Sequence, residues 1–152
     1  MADEQIAVDT QLLVLLVTGL ASPTYIRNNK RLQGYTEGDF ETLKRRLEQA
    51  DRLIITASVL AEASNFLRNI NEPGRGVVMN TFRRFIAKAH EMSAPAKEIA
   101  EASVFVRLGF SDTTLLALDD VSLLTADGPL YREALRQGRM AENFNHIREA
   151  NQ

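Results

Sequence analysis

Short apolar runs alternate along this chain with longer stretches whose apolar residues recur at helical spacing. The runs predict buried strands and the stretches between them predict helices. The predicted strands are residues 6–9, 52–57, 121–125 and 142–147. The predicted helices are residues 11–20, 36–50, 58–70, 76–90, 95–108, a short helix from 111, and 129–137. Because no hairpin signal joins neighbouring strands, the pattern predicts an α/β fold. A central, mostly parallel sheet of four or five strands would carry helices on both faces.

The second predicted helix has a well-marked start. Thr36 and Asp39 stand at the spacing of a capping box, in which each residue satisfies a backbone N–H of the other. Phe40, Leu43 and Leu47 follow at helical spacing and predict the face that this helix buries.

The run "LLVLLVTGL" at residues 12–20 is apolar on most faces of a helix. The preceding "MADEQ" is acidic rather than basic, and no small-residue cleavage pattern follows, so the run does not match a signal peptide. It is also too short to span a bilayer. We therefore expect a helix buried under other elements or in a subunit interface, and no membrane association.

Composition narrows the class of protein. The chain has 152 residues, of which 45% are hydrophobic and 25% charged, which is typical of one globular domain. We take residues 1–152 as a single domain with a core at about 6–147. The absence of cysteine excludes thiolate chemistry and suits the cytoplasm. A net charge of −2 means that any nucleic-acid binding must come from local clusters of basic residues.

Four acids follow the predicted strands or begin the helices beside them. Asp9 ends the first strand and Asp127 lies just beyond the strand at 121–125. Glu62 lies on the helix after the second strand, and Asp112 lies at the start of a short helix after Gly109. Sites in open parallel sheets form outside the carboxyl ends of the strands. We therefore expect these residues, the four acids, to meet at one edge of the sheet.

Carboxylates brought together repel one another, so a proton or a cation must neutralise part of their charge. Oxygen ligands without cysteine favour Mg²⁺ or Mn²⁺ over Zn²⁺. Such ions can drive hydrolysis of a phosphodiester. Each acid alone has a simpler explanation: an Asp after a strand as a turn or cap residue, Ser111–Asp112 as a helix N-cap, Glu62 as a solvated side chain. The joint placement at one edge is what favours a site.

With these motifs in order, the sequence resembles the PIN-domain family of metal-dependent ribonucleases. The resemblance lies in "IAVDTQLL" with Asp9, "ITASVLAEASNFL" with Glu62, "LGFSDTTLLAL" with Asp112 and "LLTADGPLY" with Asp127. It covers about residues 6–147. It implies a PIN-like fold in which the four acids are both the metal ligands and the catalytic residues.

The resemblance also implies an activity and partners. The activity is endonucleolytic cleavage of RNA with Mg²⁺ or Mn²⁺. Many small members are toxins of toxin–antitoxin pairs, so an antitoxin protein is an implied partner, and many are homodimers. Thr10 and Thr125 would orient carboxylates or waters, and Asn65 would support Glu62. Local backbone hydrogen bonding is the alternative for these three residues.

An acidic site needs basic flanks to bind a polyanion. The candidate RNA-binding residues are Arg27, Lys30, Arg31, Arg83 and Arg84. The alternative for each is a solvated surface. Three tyrosines could stack on bases, with ordinary packing as the alternative, and these are Tyr25, Tyr35 and Tyr131.

Three other functions compete with a nuclease. A PIN-like module could bind RNA or protein without cutting, although the presence of all four acids argues against it. A phosphoacceptor receiver-like module would need a lysine after a late strand, and "VSLLTADGPLY" offers none. A dinucleotide-binding domain is disfavoured because no G-x-G-x-x-G follows a strand.

Overall fold

The computed structural model describes residues 3–151, so residues 1, 2 and 152 of the predicted domain lie outside the described residues. Within that range, five strands form one all-parallel sheet in the order β3-β2-β1-β4-β5. The strands are β1 (Gln5–Val8), β2 (Arg52–Ile55), β3 (His90–Glu91), β4 (Ser122–Thr125) and β5 (Ala141–Asn143). The predicted α/β class with a parallel sheet is confirmed.

Helices flank this sheet and supply the crossovers that parallel strands require. They are α1 (Thr10–Ala21), α2 (Glu37–Glu48), α3 (Ala57–Leu67), α4 (Gly74–Lys88), α5 (Ala96–Glu101), α6 (Phe105–Leu108), α7 (Phe110–Ala117), α8 (Gly128–Arg136) and α9 (Phe144–Ala150). Two 3₁₀ turns, Pro23–Asn28 and Lys30–Leu32, connect α1 to α2.

The first strand and the first helix lie at the centre of the core. Ile6 pairs with Leu53 of β2 on one side and with Ser122 of β4 on the other. The apolar run that forms α1 is buried against other helices of the same chain. The sequence predicted burial of this run either under other elements or in a subunit interface, and the structure shows the first. No helix within the described residues is long and apolar enough to cross a membrane.

The start of α2 is the predicted capping box. Asp39 Oδ2 accepts a hydrogen bond from Thr36 N at 2.9 Å, and Asp39 N donates to Thr36 Oγ1 at 3.1 Å. The helix then packs Phe40 onto Gly19 of α1, where any Cβ would overlap the phenylalanine ring. A glycine in the last turn of α1 therefore permits a close approach of the two helices.

The predicted helix at 95–108 is wrong in one respect, since it is broken into α5 and α6. Ala102 is extended, with φ −65° and ψ 140°, and ends α5. The break allows both Ile99 and Val104 to be buried, while Val106 is 95% exposed. Tertiary packing of these residues outweighs the helical preference of the stretch.

Two corrections concern the strands. His90 was predicted to end a helix, but it pairs with Ile54 in the short edge strand β3. The strand predicted at 142–147 ends at Asn143, because the Asn143 side chain accepts a hydrogen bond from Asn145 N and caps α9. Both strands are short and none of their residues is fully buried, so no apolar pattern marks them.

Candidate functional site

The strand order places a crevice between β1 and β4. From β1 the chain builds β2 and β3 on one side, then crosses over and builds β4 and β5 on the other. The crevice outside the carboxyl ends of the strands at such a switch point is the usual ligand site of an open α/β sheet. Asp9 directly follows β1 and Asp127 lies two residues beyond β4. These two acids therefore stand at the switch point.

A cavity of about 390 Å³ opens at this crevice, and we call it the acid cavity. All four acids line it. Its lining residues are Asp9, Thr10, Gln11, Tyr35, Glu62, Phe66, Asp112, Ala126 and Asp127. The fold thus brings together acids that are up to 118 positions apart, between Asp9 and Asp127.

Asp9 is the most buried of the four acids, at 5% exposed. It caps α1, because its Oδ1 accepts a hydrogen bond from Leu12 N at 3.0 Å. Its Oδ2 accepts from Ala126 N at 3.1 Å and from Thr125 Oγ1. Burial raises the pKa of Asp9 above its ordinary value, and these hydrogen bonds oppose the rise.

Two threonines form hydrogen bonds with the acids. Thr125 Oγ1 donates to Asp9 and accepts from Asp127 N at 2.9 Å, so it links two of the four acids. Thr10 Oγ1 donates to Glu62 Oε1 at 2.8 Å. The third predicted support is not seen. Asn65 is exposed on α3, and it makes no hydrogen bond to Glu62 within the described residues.

Asp127 is an N-cap as well as a lining residue. Its Oδ1 accepts a hydrogen bond from Leu130 N at 2.9 Å and so starts α8. The cap explanation is therefore correct for both Asp9 and Asp127. It does not exclude a site, because at Asp127 the cap uses one carboxylate oxygen and leaves the other free of hydrogen bonds from residues 3–151.

For Asp112 the cap explanation is wrong. The N-cap of α7 is Gly109, whose φ of +86° suits glycine, and no side chain caps this helix. Asp112 lies in the first turn, partly buried, and its carboxylate accepts no hydrogen bond within the described part of the chain. Burial raises the pKa of Asp112 to about 7, and the charges of the other three acids add to the rise, Asp127 most of all.

The donor chemistry of the cavity fits a hard divalent cation. Every candidate ligand is a carboxylate oxygen, which Mg²⁺ and Mn²⁺ prefer. Oxygens that accept no hydrogen bond from residues 3–151 remain on Glu62, Asp112 and Asp127. As the side chains stand, no group of three or more histidine or acidic residues among the described ones is arranged to hold a metal ion. Like charges repel, and a cation would draw these side chains together.

The structure separates the five predicted RNA-binding cations. The Arg31 guanidinium lies 4.0 Å from the ring centroid of Phe66, which lines the acid cavity. Arg27 is paired with Glu37 at 3.4 Å, and Lys30 lines a different cavity.

The two arginines of α4 are remote from the acids. Arg84 lines a cavity beside Leu20, near the end of α1 opposite Asp9, and the helix from Thr10 to Leu20 spans about 15 Å. Arg83 donates to Asn80 on the same helix at 2.6 Å. The structure therefore does not place this pair at the acid cavity.

A scan against protein-family models finds no match to this chain, and a search of curated proteins finds no match either. The family resemblance carried by the four motifs therefore stays a prediction. The geometry of the acid cavity is the feature that points to a function.

No role was predicted from the sequence for Phe66 or Gln11, but both line the cavity. A signal for Phe66 was available, because residues four apart share a helix face and Phe66 follows Glu62 by four. Gln11 had no such signal. Its side chain donates to the backbone oxygen of Arg31, a contact that only the folded chain creates.

Proposed function

We propose that this protein is a Mg²⁺- or Mn²⁺-dependent endoribonuclease that hydrolyses RNA phosphodiester bonds at the acid cavity. The observation that carries the proposal is the state of Asp112. This carboxyl has no hydrogen-bond partner among the described residues, and burial with three neighbouring acids raises its pKa to about 7. A carboxyl that serves only the fold would be paired, capped or solvated. Perturbed acids in a cleft are a mark of functional sites.

Glu62, Asp112 and Asp127 would hold the metal through oxygens that accept no hydrogen bond from residues 3–151. Asp9 would use Oδ1, which accepts one hydrogen bond and keeps a second lone pair. When bound, the ion neutralises charge on a phosphate and makes a bound water a stronger nucleophile near neutral pH. The chain itself orients the ligands. Thr125 holds Asp9 and the backbone of Asp127, and Thr10 holds Glu62. No hydrogen bond from residues 3–151 holds Asp112, so its carboxylate is free to turn toward a cation.

The test compares two aspartates at opposite ends of one short segment. Asp112→Asn removes a lining charge without breaking any hydrogen bond that residues 3–151 form, whereas Asp119→Asn removes an exposed charge outside the cavity. We expect wild type and Asp119→Asn to cleave labelled RNA with Mn²⁺ or Mg²⁺, and to stop in chelator. The Asp112→Asn rate should be lower by several orders of magnitude. Cleavage by Asp112→Asn near the wild-type rate, or cleavage that persists in chelator, would overturn the proposal.

The other implied properties belong to the same proposal. We propose a cytoplasmic protein, in keeping with a chain that has no cysteine, and a homodimer that is the toxin partner of an antitoxin. Growth arrest on expression that depends on Asp112, and light scattering at the mass of two chains, would support these points. Binding of RNA without cleavage in Mn²⁺ would instead favour the non-catalytic PIN-like binding module.

A further inference from the structure

Beside the acid cavity lies a cation, Arg31, that forms no ion pair with an acid among residues 3–151. The Arg31 side chain is exposed, and within residues 3–151 its guanidinium forms no ion pair and no hydrogen bond. It lies over the ring of Phe66, 4.0 Å from the centroid, and Phe66 lines the cavity with the four acids. A flexible arginine near four carboxylates would ordinarily pair with one of them. The contacts that keep the Arg31 side chain away from the acids therefore require an explanation.

The backbone of Arg31 is held from three directions. Asn29, only 2% exposed, accepts from Arg31 N at 2.9 Å and donates to Phe66 O at 3.0 Å. Gln11, another lining residue, donates to Arg31 O, and the next residue, Leu32, is 1% exposed and anchored in the core. One buried side chain thus positions both the arginine and the ring beneath it. A merely solvated arginine needs no such support.

The nearby cations differ from Arg31 in this respect. Arg27 is paired with Glu37 at 3.4 Å, and Arg148 is paired with Asp39 at 3.0 Å. Lys30, the direct neighbour in sequence, lines a separate cavity. Arg31 therefore combines a place beside the acid cavity with a guanidinium that, among the described residues, is left free to bind an external anion.

We propose that Arg31, supported by Phe66, binds a phosphate of the RNA strand adjacent to the one that reacts in the acid cavity. The inference rests on the proposed nuclease function. Four carboxylates repel a polyanion, and a metal ion offsets that repulsion only where it binds. A guanidinium can donate two parallel N–H bonds to a phosphate. The ring covers one face of the guanidinium and leaves the in-plane N–H groups of Arg31 free, which makes it a substrate-positioning residue.

The experiment uses single-stranded RNA. Cleavage kinetics in Mn²⁺ give kcat and KM, and fluorescence anisotropy separately gives the binding affinity, both from about 50 to about 200 mM salt. Arg31→Gln should raise KM about tenfold, as expected for one lost charged contact, and change kcat by less than about twofold. The slope of log affinity against log salt should become shallower by about 0.7, the value for one phosphate of a single strand. Arg31→Lys should keep the slope and recover only part of the affinity, because it retains the charge but not the paired N–H groups.

Two further variants are matched to this change. Phe66→Leu keeps an apolar side chain but removes the ring, and it should weaken binding while leaving the charge, and hence the salt slope, in place. Arg52→Gln removes an exposed charge at the amino end of β2, the edge of the sheet opposite the acid cavity, and should change neither KM nor slope. If the slope of log affinity against log salt for Arg31→Gln equals that of wild type, the inference about Arg31 is wrong and the nuclease proposal still stands. If wild type binds RNA but does not cleave it, the nuclease proposal is wrong, and the salt slope of Arg31→Gln still decides the role of Arg31. If wild type does not bind RNA, both proposals are wrong.

Discussion

Replacing Asp112 with asparagine tests the electrostatic state of the acid cavity in the absence of RNA. In the folded protein the pKa of this carboxyl is raised from 3.8 to about 7, whereas the unfolded chain exposes it to water. Between these values the folded protein holds a proton that the unfolded chain has released. The contribution of Asp112 to the stability of wild type therefore falls as pH rises from about 4 to about 7, and above that range the ionised carboxylate carries its full penalty.

The size of this penalty follows from the pKa and the exposure. A rise from 3.8 to about 7 corresponds to an upper limit of about 4 kcal/mol. Asp112 is only partly buried, and screening by water reduces the expected value to about 1–2 kcal/mol. Asp112→Asn should therefore be more stable than wild type by this amount at about pH 8, and about equal to it near pH 4. For a chain of this length the gain is a rise in Tm of about 2–8 °C.

The assay is denaturation of wild type and variant at both pH values, in chelator and in Mn²⁺. At a hundredfold excess over its Kd, Mn²⁺ should stabilise wild type by about 2.7 kcal/mol, and the variant by much less. Asp119→Asn should have the same stability as wild type in every condition. If Asp112 acts only as a favourable charge in the first turn of α7, the variant should instead lose about 0.3–1 kcal/mol at the higher pH. That loss, together with a wild type that does not respond to Mn²⁺, would refute the reasoning.

Two further substitutions probe hydrogen bonds of buried acids. Asp9→Asn should lose about 1–3 kcal/mol, because its amide NH₂ would face either the N–H of Leu12 or the O–H of Thr125; urea denaturation equal to that of wild type would contradict this geometry. Glu133 is buried on α8. The hydrogen bonds that it accepts, of which those from Arg136 have the largest effect, lower its pKa to about 2. Its contribution to stability is present above its ordinary pKa of 4.5 and is lost as pH falls toward about 2. Glu133→Gln should therefore be less stable than wild type at neutral pH, with a difference that shrinks in acid, and a difference that does not change with pH would count against this assignment.

Much of the architecture follows from local patterns. The apolar runs of β1, β2 and β4 predicted their strands within two residues, and the capping box at Thr36 predicted where α2 begins. The candidate acids could also be chosen from sequence, because strand ends of a parallel sheet share an edge whatever the loops between them do. These features were predictable because each depends on burial periodicity or on a few adjacent residues.

What each polar residue does was decided by contacts between distant parts of the chain. Sequence made Asp9, Asp112 and Asp127 all cap candidates. The fold made caps of Asp9 and Asp127 and left Asp112 without a hydrogen-bond partner in the described residues. The sequence also offered no reason to prefer one basic residue over another as an RNA-binding residue. Packing placed Arg31 beside the acids and Arg84 near the far end of α1. Periodicity reports which face of an element is buried. The pKa of an acid and the partner of a cation depend on which elements lie against that face, and only the tertiary structure determines this.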